Sequence, residues 1–209
     1  MTSASEALAR LREGNRRFVD NRCVASTASS ASHRATLVAG QEPFAIVLGC
    51  SDSRVPAELV FDQSFGDLFV IRVAGNIVAP SQVGSVEFAA SRYRTRLVVV
   101  MGHSQCGAIL ATLEDALGVA TTQSQNLRSI VDRVRPSIEA MLPGRKPADL
   151  DALMCDAVRA NVRASANHLR HGSELLERLI RNDGLVVVGA EYSLESGAVT
   201  FFDGVPEVD

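Results

Sequence analysis

Apolar runs along the chain alternate with amphipathic segments. Residues 44–49 (Phe-Ala-Ile-Val-Leu-Gly) are apolar at every position, which is typical of a strand buried on both faces of a parallel sheet. Similar runs bounded by turn residues predict further strands at 67–73, 96–101 and 185–190, with a short last strand near 199–202.

Amphipathic segments predict helices between and around these strands. Ser3 and Glu6 have the spacing of a capping box at the start of a helix over residues 3–19. Pro136 is expected to kink or restart the fourth predicted helix. The other predicted helices cover residues 85–93, 106–117, 127–141, 149–169 and 173–180.

Strands that alternate with helices indicate an α/β fold in a single domain. We predict a mostly parallel central sheet in the order 2-1-3-4 plus a short edge strand, flanked by helices with right-handed crossovers. Residues 1–40 are expected to form an N-terminal helical arm and linker, and residues 41–209 the α/β domain. A Ser/Ala/Thr tract at 26–32 tethers the first helix, which is expected to pack either on its own domain or on a second subunit.

Composition narrows the partners. A formal net charge of −3, two tyrosines and no tryptophan provide neither a basic face nor stacking platforms, which disfavours nucleic acid. No apolar run approaches the roughly 20 residues of a membrane span. The N-terminus lacks the pattern of a signal peptide, so we expect the four cysteines to lie in a reducing cytosol.

Metal-binding residue types follow two of the predicted strands. Cys50 and His103 stand just past the carboxyl ends of the first and third strands, where ligands bind in open α/β sheets. Cys106 lies at the start of the next helix, whose dipole favours a thiolate. Two thiolates and one imidazole suit zinc, and three protein ligands would leave a fourth position open, as in catalytic zinc sites.

The combination Cys-x-Asp-x-Arg at 50–54 and His-x-x-Cys-Gly at 103–107 resembles the paired signature of the β-class carbonic anhydrases. The stretches at 11–18, 61–69, 72–76 and 84–87 also resemble that family in order and spacing. The resemblance implies a zinc-dependent lyase that reversibly hydrates carbon dioxide to bicarbonate and a proton by attack of zinc-bound hydroxide. Its zinc ligands would be Cys50, His103 and Cys106.

The same resemblance assigns roles near the metal. Asp52, held by Arg54, would orient the nucleophile; alternatively, as in some family members, the aspartate would swing onto the metal and close the site. Gln41 would donate to a bicarbonate oxygen, from its own or a neighbouring subunit. The remaining substrate contacts would come from Phe69, Ala74 and Phe88 as an apolar wall and from Gly107 at the helix start. Ordinary core packing is an equal expectation for the three apolar residues.

Two positions depart from the family pattern. Phe88 replaces a tyrosine that many relatives carry, and Val47 replaces the tryptophan of the bicarbonate-regulated bacterial members. We therefore expect an open site without control by a second bicarbonate. Arg72 is expected to form a buried ion pair, with binding of an anion as the alternative. The family's habit of building its sites between subunits implies a homodimer or a dimer of dimers.

Other functions remain open at this point. The same site would also suit hydrolysis of carbon disulfide or carbonyl sulfide. A non-catalytic zinc or bicarbonate-sensing protein would require Asp52 as a permanent fourth ligand. A thiol redox enzyme is disfavoured because the cysteines form no Cys-x-x-Cys motif.

Overall fold

The structure is a computed structural model that describes residues 2–25, 30–121 and 124–206. Its centre is a five-stranded sheet in the order β2-β1-β3-β4-β5, which confirms the predicted order. The first four strands are parallel, and β5 pairs antiparallel with β4 at the edge. The strands are β1 (Ala45–Gly49), β2 (Leu68–Arg72), β3 (Leu97–His103), β4 (Val186–Tyr192) and β5 (Val199–Asp203).

Helices flank the sheet on both faces. They are α1 (Ala4–Val19), α2 (Ala31–Leu37), α3 (Ala57–Val60), α4 (Pro80–Arg92), α5 (Gly107–Ala116), α6 (Gln125–Ile138), α7 (Leu150–His171) and α8 (Glu174–Asn182). Short 3₁₀ helices cover Ala74–Asn76, Glu139–Met141 and Pro147–Asp149. No helix within the described ranges combines the length and apolar character that crossing a membrane requires.

The two central strands are buried along their whole length. Every residue of β1 and β3 is buried, as their uninterrupted apolar runs predict. On one face, Val47 and Met101 pack in a cluster with α1 and α3. On the other face, Ile46 and Val100 pack with α4, α7 and α8. This double layer fixes the carboxyl ends of β1 and β3 side by side, because Gly49 is paired with Met101.

Helix α1 packs on its own chain, one of the two arrangements that the sequence left open. Its Ser3–Glu6 capping box is present, and Leu8 and Leu11 are buried against the sheet. In the middle of the helix, Arg10 pairs with Asp67, the residue just before β2. Residues 26–29 of the predicted linker tract lie outside the described residues.

Several element boundaries differ from those predicted. Helix α4 begins at Pro80 rather than at residue 85, since proline is favourable in a first helical turn where no N–H partner is needed. Helix α6 runs through Pro136 and changes to a 3₁₀ turn only after Ile138, so the expected restart at the proline is wrong. The short helices α2 and α3 were not predicted, because seven and four residues are too few to show helical periodicity.

Candidate metal centre

Three side chains meet at the carboxyl ends of β1 and β3. Cys50 directly follows β1, His103 ends β3, and Cys106 caps the amino terminus of α5. Their ligand atoms all lie within 4.8 Å of one another, and all three residues are buried. Within the described residues, this is the group of side chains that could hold a metal ion.

The two sulfur atoms form a coupled pair. Cys50 Sγ and Cys106 Sγ are 4.0 Å apart. The hydrogen bond between them is the main cause that lowers the pKa of the Cys50 thiol, to about 4, and the same bond together with burial raises the pKa of Cys106. Two thiolates bound tetrahedrally to zinc at about 2.3 Å would lie about 3.8 Å apart. The sulfur pair therefore fits one zinc ion.

His103 presents one nitrogen to this pair. Its side chain is fully buried, and Nδ1 lies 2.8 Å from the carbonyl oxygen of Ser104, which places the proton on Nδ1. Nε2 is buried and has no hydrogen-bond partner. A buried nitrogen without a partner costs about 1–3 kcal/mol, and a metal ion would remove that cost. The donor set and this orphaned nitrogen both fit a zinc ion.

Backbone donors support the Cys50 sulfur. The N–H groups of Asp52 and Gly75 each donate to Cys50 Sγ at 3.4 Å. Gly75 adopts φ +69°, and a Cβ there would come within 3.0 Å of Ala108 Cβ. Asn161 on α7 donates to the carbonyl oxygen of Gly75 at 2.8 Å. The glycine thus lets the backbone approach the sulfur, and α7 holds it there.

Asp52 and Arg54 form a dyad beside the three side chains. The Arg54 guanidinium donates to both carboxylate oxygens, at 2.9 and 2.7 Å, and the Arg54 N–H adds a third bond at 3.0 Å. The side-chain bonds from Arg54 are the largest cause that holds the pKa of Asp52 well below its ordinary value. Asp52 Oδ2 lies 3.9 Å from His103 Nε2. The carboxylate is therefore ionised and fixed at the edge of the group.

Arg72 holds the same loop from outside. Its side chain is exposed, and it donates to the carbonyl oxygens of Cys50 at 3.0 Å and Asp52 at 2.6 Å. The expected buried ion pair is therefore wrong, since the acceptors are backbone oxygens. Arg72 closes the turn that carries the first predicted ligand.

The structure brings two of the predicted substrate residues to this edge. Ala74 is half-buried and precedes Gly75, whose N–H contacts Cys50. Gly107 begins α5 directly after Cys106, and a Cβ there would meet no atom within 4 Å. Open space therefore lies beside the start of α5.

The other three predicted substrate residues lie together at the opposite end of the sheet. Phe69 is in the first half of β2, and its ring centroid is 6.2 Å from that of Phe88 and 6.0 Å from that of Tyr93. Gln41 precedes β1 and donates to the Tyr93 hydroxyl at 3.1 Å. The five residues of β1, about 17 Å at 3.3 Å per residue, separate this end from Cys50.

The sequence indicated neither Asn161 nor the backbone role of Arg72. Asn161 lies 86 positions from its acceptor Gly75, and no local pattern marks such a contact. The glycine in Ala-Gly-Asn at 74–76 is a local feature that could have marked a close backbone approach, but no such role was predicted for it.

Comparison with known proteins agrees with this geometry. A family model described as carbonic anhydrase matches residues 45–199. Carbonic anhydrase 2 of Mycobacterium tuberculosis is 37% identical over 198 residues, which cover 95% of this chain and 92% of that protein. A carbonic anhydrase of Mycolicibacterium smegmatis is 39% identical over 190 residues, covering 90% and 88% of the two chains.

Solved structures of β-carbonic anhydrases share the fold. CafA of Aspergillus fumigatus superposes with a TM-score of 0.73 at 25% identity, over 97% of this chain and 92% of that one. The Coccomyxa enzyme in complex with acetazolamide gives a TM-score of 0.72 at 25% identity, over 93% and 86%. With the family model spanning most of the sheet and the relatives spanning nearly the whole chain, this chain belongs to the β-class carbonic anhydrases.

Proposed function

We propose that this carbonic anhydrase holds Zn²⁺ through Cys50, His103 and Cys106 and uses Asp52 and Arg54 in the reversible hydration of carbon dioxide. The observation that carries the proposal is the buried Nε2 of His103, which lacks a partner, in a group of three residues whose ligand atoms lie within 4.8 Å of one another. A bound zinc ion supplies the Lewis acidity that lets water ionise near neutral pH.

Asp52 acts as a fixed hydrogen-bond acceptor for the attacking water. Arg54 occupies both carboxylate oxygens in a bidentate pair, which keeps Asp52 charged and sets its orientation. A carboxylate so held accepts a hydrogen bond from the nucleophile and thereby directs the nucleophile's lone pair at the carbon of the substrate. The pairing supports an open site, because both carboxylate oxygens of Asp52 are hydrogen-bonded to Arg54.

Ala74 and Gly107 border the reacting carbon in this proposal. The side chain of Ala74 is small and apolar, which suits an uncharged substrate, and the space beside Gly107 leaves room for it. Neither carbon disulfide nor carbonyl sulfide hydrolysis is favoured by any feature of this edge, and the relatives are named carbonic anhydrases.

We also propose that the enzyme works as a homodimer or a dimer of dimers in which Gln41, Phe69 and Phe88 of one protomer face the metal centre of its partner. Both residue types suit a binding wall, yet in one chain both side chains face solvent: Phe88 is 53% exposed and Gln41 is exposed. Within one chain the length of β1 separates them from Cys50.

The catalytic unit in this proposal is residues 41–209. All four cysteines are free thiols, which supports the cytosol as its compartment.

The test is metal analysis combined with stopped-flow hydration of carbon dioxide at about pH 8–9, roughly one to two units above the pKa of about 7 of zinc-bound water. We expect one zinc per chain, loss of hydration after removal of the metal with a chelator, and recovery on adding zinc. Stoichiometric zinc without hydration activity would contradict the proposed function and would favour a sensing role.

Shared sites are tested by co-expressing two variants of low activity. If each site uses both protomers, the Gln41→Ala and Asp52→Asn defects of a hybrid dimer fall in the same site, which leaves the other site intact. Co-expressed in equal amounts, they should recover about a quarter of the wild-type activity, since half of the dimers are hybrids with one intact site. Activity no higher than the mean of the two pure variants would show that Gln41 serves its own chain or no site.

A further inference from the structure

The turn between β4 and β5 lies directly beside the predicted histidine ligand. Leu194 N–H donates to Ser104 Oγ at 2.9 Å, and Ser104 Oγ donates to the carboxylate of Glu195 at 2.9 Å. Ser104 N–H donates to the carbonyl oxygen of Tyr192 at 2.9 Å. Because the Ser104 carbonyl is the partner of His103 Nδ1, a movement of this turn also moves the imidazole.

One buried side chain of α1 holds the same turn from the other side. Asn15 donates to the carbonyl oxygen of Gly197 at 2.9 Å and accepts from the N–H of Val199 at 2.8 Å. Asn15 is only 6% exposed, so these bonds form away from water. Gly197 packs so closely on the helix that a Cβ there would lie 3.1 Å from Phe18 Cε1.

Asn15 also contacts the segment that follows the other predicted ligand. Its amide donates to the carbonyl oxygen of Val60 at 3.1 Å, at the end of α3. Helix α3 begins three residues after Arg54. One amide group therefore ties together the β4–β5 turn and the segment that continues from the Cys50 loop.

We infer that Asn15 is a positioning residue for the metal centre and that it acts through the β4–β5 turn, Glu195 and Ser104 on His103. The inference rests on the proposed zinc site. Helix α1 fixes the turn, the turn fixes Ser104, and the Ser104 carbonyl fixes the tautomer and plane of the ring. Groups that orient a ligand in this way change metal affinity and activity by about 10- to 100-fold.

The test compares zinc release from Asn15→Leu with release from Arg17→Met. Leucine has a similar size to asparagine and removes all three hydrogen bonds. Arg17 lies on the same helix and pairs with Asp62 but makes no bond to the turn. We expect Asn15→Leu to release zinc to a chromophoric chelator about 10-fold faster than wild type and Arg17→Met to release it at the wild-type rate. The visible spectrum of the Co²⁺-loaded protein should change only in Asn15→Leu.

Variants of Glu195 keep the test decisive if Asn15→Leu does not fold. Glu195 is exposed, so Glu195→Ala should fold while losing the acceptor for Ser104. It should release zinc faster, and Glu195→Gln, which keeps an acceptor oxygen, should restore the rate. The effects of Asn15→Leu and Glu195→Ala should combine less than multiplicatively, since both act on one turn.

Wild-type release rates in both Asn15→Leu and Glu195→Ala would overturn the inference, as would equal acceleration in Asn15→Leu and Arg17→Met. Failure of the proposed zinc site would be visible earlier, because the wild-type protein itself would then hold no stoichiometric zinc.

Discussion

The two ends of the central sheet differ in how complete they are within one chain. At the carboxyl end, Cys50, His103 and Cys106 are buried. The Asp52 N–H donates to Cys50 Sγ and the Arg72 side chain donates to the Cys50 carbonyl oxygen, and these bonds hold the loop after β1. At the amino end, Gln41 and Phe88 are exposed and contact Tyr93 and the aromatic residues around it. The contrast teaches that folding of one chain brings together the three candidate metal ligands, whereas the residues of the proposed substrate wall stay exposed at the other end of the sheet.

The largest effect is expected from the buried end. Single substitution of Cys50, His103 or Cys106 by Ala should reduce zinc content from one per chain to near zero, because two remaining ligands cannot hold a tetrahedral ion. Zinc per chain after gel filtration measures the effect. Cys155→Ala and His171→Ala remove exposed residues of the same types and should keep their zinc. Stoichiometric zinc in all three ligand variants would contradict the ligand assignment.

A smaller effect is expected beside the metal. Asp52→Asn should retain zinc but lower kcat for hydration by about 10- to 100-fold, because the amide no longer provides a charged acceptor that Arg54 orients. Stopped-flow rates and zinc content together measure it. Asp20→Asn is the matched control, since Asp20 also pairs with an arginine two residues on but lies on the surface far along the arm. Unchanged turnover in Asp52→Asn would remove Asp52 from the mechanism.

The exposed end should tolerate change better. Phe88→Ala is expected to lower kcat/KM by about 3- to 10-fold, the worth of one aromatic contact, without loss of zinc. Phe65→Ala provides the control, because Phe65 is also 53% exposed but lies outside the aromatic group. Equal losses in both variants would mean that Phe88 acts only as part of the general surface.

The smallest effects concern helix α1, which forms two ion pairs that differ in how deeply the carboxylate is buried. The carboxylate of Asp62, paired with Arg17, is 1% exposed, whereas that of Asp67, paired with Arg10, is 27% exposed. Asp62→Asn should lower the free energy of unfolding by about 1–3 kcal/mol, and Asp67→Asn by less than about 1 kcal/mol. Denaturant unfolding at pH 7 measures the stability of both variants, and similar losses would contradict the expected difference between the two ion pairs.

Acid provides a second test of the same contact. Burial by itself raises the pKa of Asp62, but hydrogen bonds from the Ala25 N–H and the Arg17 guanidinium outweigh it and leave the pKa below its ordinary value. A carboxylate with a lowered folded pKa stabilises the fold above the unfolded pKa of about 3.9 and loses this contribution as the pH falls through the folded pKa. As the pH falls from about 5 through the folded pKa, Asp62→Asn should therefore lose less stability than wild type. Denaturant midpoints measured across this pH range give the comparison. An unchanged slope would exclude Asp62 as a source of acid sensitivity.

Much of the fold followed from local patterns. The uninterrupted apolar runs identified β1 and β3 because a strand buried on both faces can carry no polar position. Helices α2 and α3 escaped because they are too short for a period to appear. The start of α4 was missed because Pro80 signals a break in a helix interior but a favourable residue at a helix start.

By itself, the sequence determined which residue types stand at the strand ends, since Cys50 and His103 follow directly on apolar runs that predict buried strands and Cys106 stands three residues further on, at a helix start. Only the tertiary structure decided which of the predicted residues share a site, placing Ala74 and Gly107 at the metal edge and Gln41 and Phe88 at the other. It also decided that Asn15 bonds to Val199, 184 positions further along the chain, in the turn beside His103. The physical reason is that periodicity records burial along one element, whereas hydrogen bonds between distant loops depend on how the elements pack.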